Sequence, residues 1–181
     1  MSALFLLMFA CADPPPATPL PPEIPEMEQE KAQPEQIPAP FTPEQIREAM
    51  PKGRILIWQV TNEGKVNQQR WFVRAADERE VTLVIQDYSD VAKTMEPESV
   101  LTAKWSDLRD HAVFPPGSTV RTEETVDLLG QHDCFVYTVT DDVGVSNYWF
   151  AKDMPGPPIR HTIARDGAVV YEMLLTKVAS R

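Results

Sequence analysis

The chain has 181 residues, with 27 acidic against 17 basic side chains and a formal net charge of −10. That length allows one packed domain with tails. No run of Lys or Arg supplies the patch on which nucleic-acid binding rests, and so acidic a chain is not drawn electrostatically to anionic lipid.

Residues 4–10 are an uncharged apolar run, and the next residue is Cys11. The run is far shorter than the roughly 20 apolar residues that span a bilayer. A proline-rich stretch follows at once: Pro14, Pro15, Pro16, Pro19, Pro21, Pro22 and Pro25. An apolar run, a cysteine and then a flexible tether resemble the lipobox of a bacterial lipoprotein. The resemblance implies cleavage just before Cys11, a diacylglyceryl group on its sulfur, and a protein of the cell envelope whose membrane contact is covalent. Ala12 rather than Asp follows Cys11. By similarity to enterobacterial sorting, that implies the outer membrane.

Residues 12–40 hold six acids and one lysine, so they carry −5 of the net charge. Proline fixes φ and removes a backbone donor, which favours extended polyproline II. Glu23, Glu26, Glu28, Glu30 and Glu35 repel one another along the stretch. A semi-rigid spacer is expected, with a reach of about 90 Å at about 3.1 Å per residue. Residues 1–10 thus read as a signal segment, 11–40 as anchor and Pro/Glu-rich tether, and 41–181 as one β-rich domain.

The domain opens with a helix-start signal. Thr42 suits an N-cap, Pro43 the first helical position, and Gln45 closes a capping box. Phe41 and Ile46 occupy the two positions of a hydrophobic staple. The helix is expected from Pro43 to Met50, with Ile46, Ala49 and Met50 as an apolar stripe and Pro51 as its stop. After Gly53 the period becomes two. Leu56, Trp58 and Val60 share a face; so do Trp71, Val73 and Ala75, then Val81, Leu83 and Ile85, then Leu101, Ala103 and Trp105. The turn at 62–64 marks a hairpin. A further turn is conceivable at 106–112, and Pro115, Pro116 and Gly117 break the chain. Strands follow near 118–127, 134–140, 145–151, 159–165 and 168–177. In the last of these, Val169, Tyr171, Met173 and Leu175 face one way. Short turns without crossover helices predict antiparallel pairing.

The expected fold is mainly β (α+β): a strongly curved antiparallel sheet or half-barrel of about eight or nine strands, with one N-terminal helix on its apolar side. That outline is similar to the LolA/LolB-like folds of envelope lipoproteins. The stretch from Trp149 to Pro158 is similar to one in small uncharacterised bacterial lipoproteins and implies no activity.

The densest chemical cluster is His132, Asp133 and Cys134. On a strand His132 and Cys134 share a face, and with His111 or His161 they would make a metal site. The alternative is a surface histidine before a buried cysteine. If Cys11 is lipidated, Cys134 has no disulfide partner and should be a small buried hydrophobe. Glu123 and Glu124 are adjacent, so on a strand they point to opposite faces and cannot share a cleft. Asp141 and Asp142 read as a hairpin turn. Residues 154–158, rich in proline, read as a rigid connection that would shape a cavity rim. Trp58, Trp71, Trp105 and Trp149, with Tyr148 and Phe150, are the candidates for an apolar core or a ligand pocket. No catalytic motif, cofactor site or metal site is expected. The function read from the sequence is a non-enzymatic, membrane-anchored envelope module that binds a protein or supports an assembly. The alternative is a carrier of lipid or another small apolar ligand, which requires a cavity of at least about 300 Å³ between helix and sheet.

Overall fold

A computed structural model describes residues 37–89, 94–95 and 98–181. The expectations for Cys11 and for tether residues 12–36 lie outside them. The helix-start signal at Thr42 is realised as foreseen. Helix α1 (Pro43–Ala49) is capped by Thr42, whose hydroxyl accepts from the Gln45 N–H at 3.3 Å. The Gln45 side chain returns the contact to the Thr42 N–H at 2.8 Å. Phe41 and Ile46 are both buried, and Met50, the C-cap, is buried beside them.

The remaining elements are β1 (Arg54–Asn62), β2 (Lys65–Ala76), β3 (Glu80–Ser89), the two-residue β4 (Thr94–Met95), β5 (Ser99–Lys104), α2 (Trp105–Asp110), β6 (Thr119–Asp127), β7 (Gln131–Asp141), β8 (Gly144–Ala151), β9 (Arg160–Arg165) and β10 (Ala168–Ser180). They form one sheet in the order β4-β3-β2-β1-β10-β9-β8-β7-β6, with β5 also paired to β3. Every pairing is antiparallel. The sheet is curved and does not close, so the half-barrel expected from alternation and short turns is the fold.

Three bulges bend the sheet, and each shifts the phase of a strand. Between Val73 and Ala75 the register to β3 skips Arg74. Ala75 is therefore exposed and Ala76 packs on the core, against the simple alternation of Trp71, Val73 and Ala75. Between β10 and β9 the register skips Val170, and Val169 is 61% exposed instead of sharing the buried face of Tyr171. Between β1 and β10 it skips Thr176, whose hydroxyl donates to the Ile57 carbonyl at 3.0 Å. Beyond that bulge Val178 carries the inward face.

A second helix also departs from expectation. The alternation of Leu101, Ala103 and Trp105 carries a strand to Trp105, but the chain turns into α2 there. The Trp105 indole N–H donates to the Asp77 carbonyl at 2.9 Å, which pins the helix start over the β2–β3 turn. Asp107 accepts from the Lys104 N–H at 3.4 Å. One face of the sheet is the core: Leu56, Trp58, Val73, Val81, Leu83, Tyr137, Phe150, Met173 and Leu175 are buried there with Ile46 and Met50 of α1. The open edge at β6 carries Arg121, Glu123 and Glu124, charges that discourage pairing with another chain.

The hairpins divide into tolerant and intolerant turns. Gly144, at φ +142, closes the β7–β8 hairpin, and a Cβ there would meet the Ala164 carbonyl oxygen at 2.2 Å. Gly167, at φ +78, closes the β9–β10 hairpin with nothing within 4 Å. Gly144→Ala should therefore destabilise the domain by about 2 kcal/mol or more, since strained φ alone costs about 1–3 kcal/mol. Gly167→Asn should change stability by less than about 1 kcal/mol, because Asn tolerates positive φ. Urea unfolding of the two variants checks the contrast, and equal losses would refute it.

Candidate functional site

The core face is not filled. A cavity of about 370 Å³ lies between the sheet and the two helices. Trp71, Leu83 and Leu101 line it from one end of the sheet and Tyr148 and Phe150 from the other. Phe41, Ile46 and Met50 close it at α1; Leu108, Ala112 and Phe114 close it at α2 and the loop beyond. Gly156, Pro157 and Pro158 form part of its wall, so the proline-rich connection does border a cavity. Among the described residues Arg109 and His111 are its only basic lining residues, and none is acidic. The Arg109 guanidinium is engaged by the neighbouring Asp110, through Nε at 2.8 Å and through Nη2.

The tryptophans foreseen as core or pocket separate into four roles. Trp58 is fully buried and packs on Trp71 with ring centroids 4.5 Å apart. Trp71 reaches the cavity, and its indole N–H donates to the Gln69 side chain at 2.7 Å. Gln69 in turn donates to Asp87 at 2.8 Å, which fixes the ring. Trp105 is buried at the start of α2 and does not line the cavity. Trp149 stands between Tyr148 and Phe150 on β8 and so points to the opposite face of the sheet. There it donates to Glu124 at 3.3 Å and lies beneath the Arg160 guanidinium at 4.9 Å.

Phe114, like Leu108 and Ala112, is a lining residue that sequence reasoning missed. Its ring sits 5.0 Å from both Tyr137 and Tyr148. Tyr148 stacks on His161 at 4.2 Å with an interplanar angle of 14°, and His161 lies 5.2 Å from Tyr171. An aromatic row thus runs from the cavity into the sheet. The signal in the sequence was a lone Phe beside Pro115 and Pro116, a place where side chains are usually surface material.

The His132–Cys134 cluster does not assemble a reactive centre. Burial, aided by Asp153, pushes the Cys134 thiol up to about 11, so it is held as the unreactive thiol. Its Sγ faces the His132 carbonyl at 3.7 Å. The His132 ring is committed to Asp153 at 2.8 Å. Among the described residues no three His, Cys, Asp or Glu side chains come together as a metal site, so His111 and His161 do not join the pair. Glu123 binds Lys152 at 2.6 Å while Glu124 binds Trp149, on opposite faces as adjacent strand residues must be. Asp141 accepts from the N–H groups of Val143 and Gly144 at 2.8 and 3.2 Å, a turn-closing contact.

No protein-family model and no curated protein matches this chain. Among solved structures it is similar to the crystal structure of MucB, with a TM-score of 0.52 at 13% identity. The match covers 76% of this chain and 56% of that one, so the chain spans little more than half the length of the MucB chain. At that identity the likeness is one of fold.

Burial holds the His161 imidazole well below its ordinary 6.5, at about 4, and its Nε2 has no partner among the described residues. The unfolded chain binds a proton there near 6.5, the folded one only near 4. The stabilisation is therefore complete above about 6.5 and is lost as pH falls towards 4. His161→Phe keeps the ring stack and removes the titration. Its urea midpoint should fall less than that of the parent chain between those pH values, and parallel profiles would refute the assignment.

Proposed function

We propose that this chain is a lipid-anchored envelope protein whose curved sheet holds an apolar ligand without chemically changing it. The cavity carries the reading. Its volume of about 370 Å³ lies within the range of small-molecule sites, and its wall is apolar with few polar groups. It occupies the space between helix and sheet that a carrier requires and a filled core would abolish. The rest of the domain supports binding over catalysis: the buried thiol is unreactive and the carboxylate pairs are turned apart or locked in turns.

The envelope assignment rests on the apolar run before Cys11 and on the proline-rich tether after it. An acyl anchor and an extended stalk would hold the cavity within reach of membrane-derived apolar molecules. Mass spectrometry of the protein recovered from a membrane fraction should find Cys11 as the N-terminal residue carrying a diacylglyceryl group. An unmodified Cys11 with residues 1–10 still attached would refute the anchor and leave the cavity reading standing.

The cavity is tested separately. A fluorescent fatty-acid probe should bind the full chain and receive energy transfer from Trp71. Ala112→Trp places an indole in the wall and should weaken probe binding by about tenfold or more with little change in the unfolding midpoint. Failure of the parent chain to bind any apolar probe would refute the carrier reading and favour a module that binds protein.

A further inference from the structure

A second hollow, of about 200 Å³, lies on the other face of the sheet. Trp71 and Leu83 line the apolar cavity, so their strand neighbours Phe72 and Val84 point away from it. Ile55, Phe72, Val84 and Val100 are successive cross-strand partners and form a short apolar row there. Three arginines stand around this row: Arg70, Arg74 and Arg181. Arg70 and Arg74 flank Phe72 on β2 and line the same hollow, as alternate residues of a strand do. Arg181 arrives from the far end of the chain, held by its N–H donating to the Gly53 carbonyl at 3.1 Å.

The guanidiniums of Arg70 and Arg181 lie 5.6 and 6.0 Å from the centroid of the Phe72 ring. Stacking on an aromatic face fixes such forks and keeps their N–H groups free to donate. Among the described residues neither has a carboxylate within ion-pair distance. Arg74 is paired to Glu98 at 3.1 Å, with both side chains about half exposed. The Gln86 amide completes the lining with a neutral donor. Among the described residues the hollow thus sets three guanidinium side chains against one side-chain carboxylate, in a chain whose net charge is −10.

We propose that this hollow is an oxyanion site that takes a phosphate group. Planar forks match phosphate oxygens two at a time, and a dianion balances the excess of two positive charges. Glu98 competes for Arg74 and is displaced from it when the phosphate enters. The site is independent of the apolar cavity. Its phosphate can come from free phosphate or from a phospholipid headgroup.

Inorganic phosphate titrated into the full chain, followed by amide NMR, should shift Arg70, Phe72 and Val84 and leave Leu108 and Phe114 in place. Arg70→Gln and Arg181→Gln should each weaken phosphate by about tenfold, the loss of one charge-assisted contact. Glu98→Gln should tighten it, because the competitor for Arg74 is gone; a purely structural role for these side chains predicts no tightening. Vesicles of phosphatidylglycerol in phosphatidylcholine separate the sources. Binding that inorganic phosphate displaces assigns the headgroup, and phosphate binding without vesicle binding assigns the free ion. Equal phosphate affinity in the parent and both arginine variants, or weaker affinity in Glu98→Gln, overturns the site.

Discussion

A sheet with one apolar face must cover that face, and here the cover is too small. The residues that look inward come from nearly the whole length of the sheet, whereas the helices set against them have seven and six residues. Helices so short are marginal alone and hold their shape through tertiary contacts. α1 is held by its capping box and by Phe41, Ile46 and Met50; α2 is held by the Trp105 indole on the Asp77 carbonyl. The cavity is the space that these two helices leave against the sheet among the described residues. Its sheet wall is therefore the ordinary inner face of a curved sheet, left uncovered by the described residues.

The curvature comes from three skipped residues, and those same residues limit what the sequence can disclose. A period of two reads correctly as long as the strand pairs evenly. It placed Leu56, Trp58, Val81, Leu83, Met173 and Leu175 inside, where they are. One extra residue reverses the phase beyond it. That reversal sends Ala75 and Val169 outward and brings Ala76 and Val178 inward. A bulge is set by twist and by the partner strand, neither of which leaves a mark in the local pattern. The capping box, by contrast, is closed between residues three apart and was legible in full.

The same distinction governs the cavity. Trp71, Tyr148 and Phe150 were legible as pocket candidates because aromatics on an alternating strand must face a core or a ligand. The wall at residues 156–158 was legible because its prolines exclude regular structure. Phe114 was not, because its burial depends on rings at Tyr137 and Tyr148 that reach it only through the fold. The three arginines of the outer hollow were invisible for a related reason. Two of them alternate with Phe72 on one strand, while Arg181 joins them only because β10 lies beside β1. A scan for basic runs finds nothing in such an arrangement.

The walls of the cavity differ in how firmly they are set. The sheet side is held by cross-strand register, and its aromatics brace one another from Phe114 through Tyr148 and His161 to Tyr171. His161 belongs in that row as a neutral ring, because burial disfavours its charge. Opposite the sheet, beside α1, stand the six-residue α2 and the loop beyond, whose inner contacts include one indole hydrogen bond and the Phe114 ring. Phe114 both lines the cavity and packs on Tyr137, Tyr148 and Phe150, so an apolar guest that displaces it must replace the surface it covered. Apolar contact is non-directional, so a long flexible guest replaces that surface without matching a fixed geometry. If the cavity holds a ligand as proposed, a sheet facing a short helical cover favours a guest chosen for apolar area over one chosen by placed hydrogen bonds, and the scarcity of polar groups on the wall fits that choice.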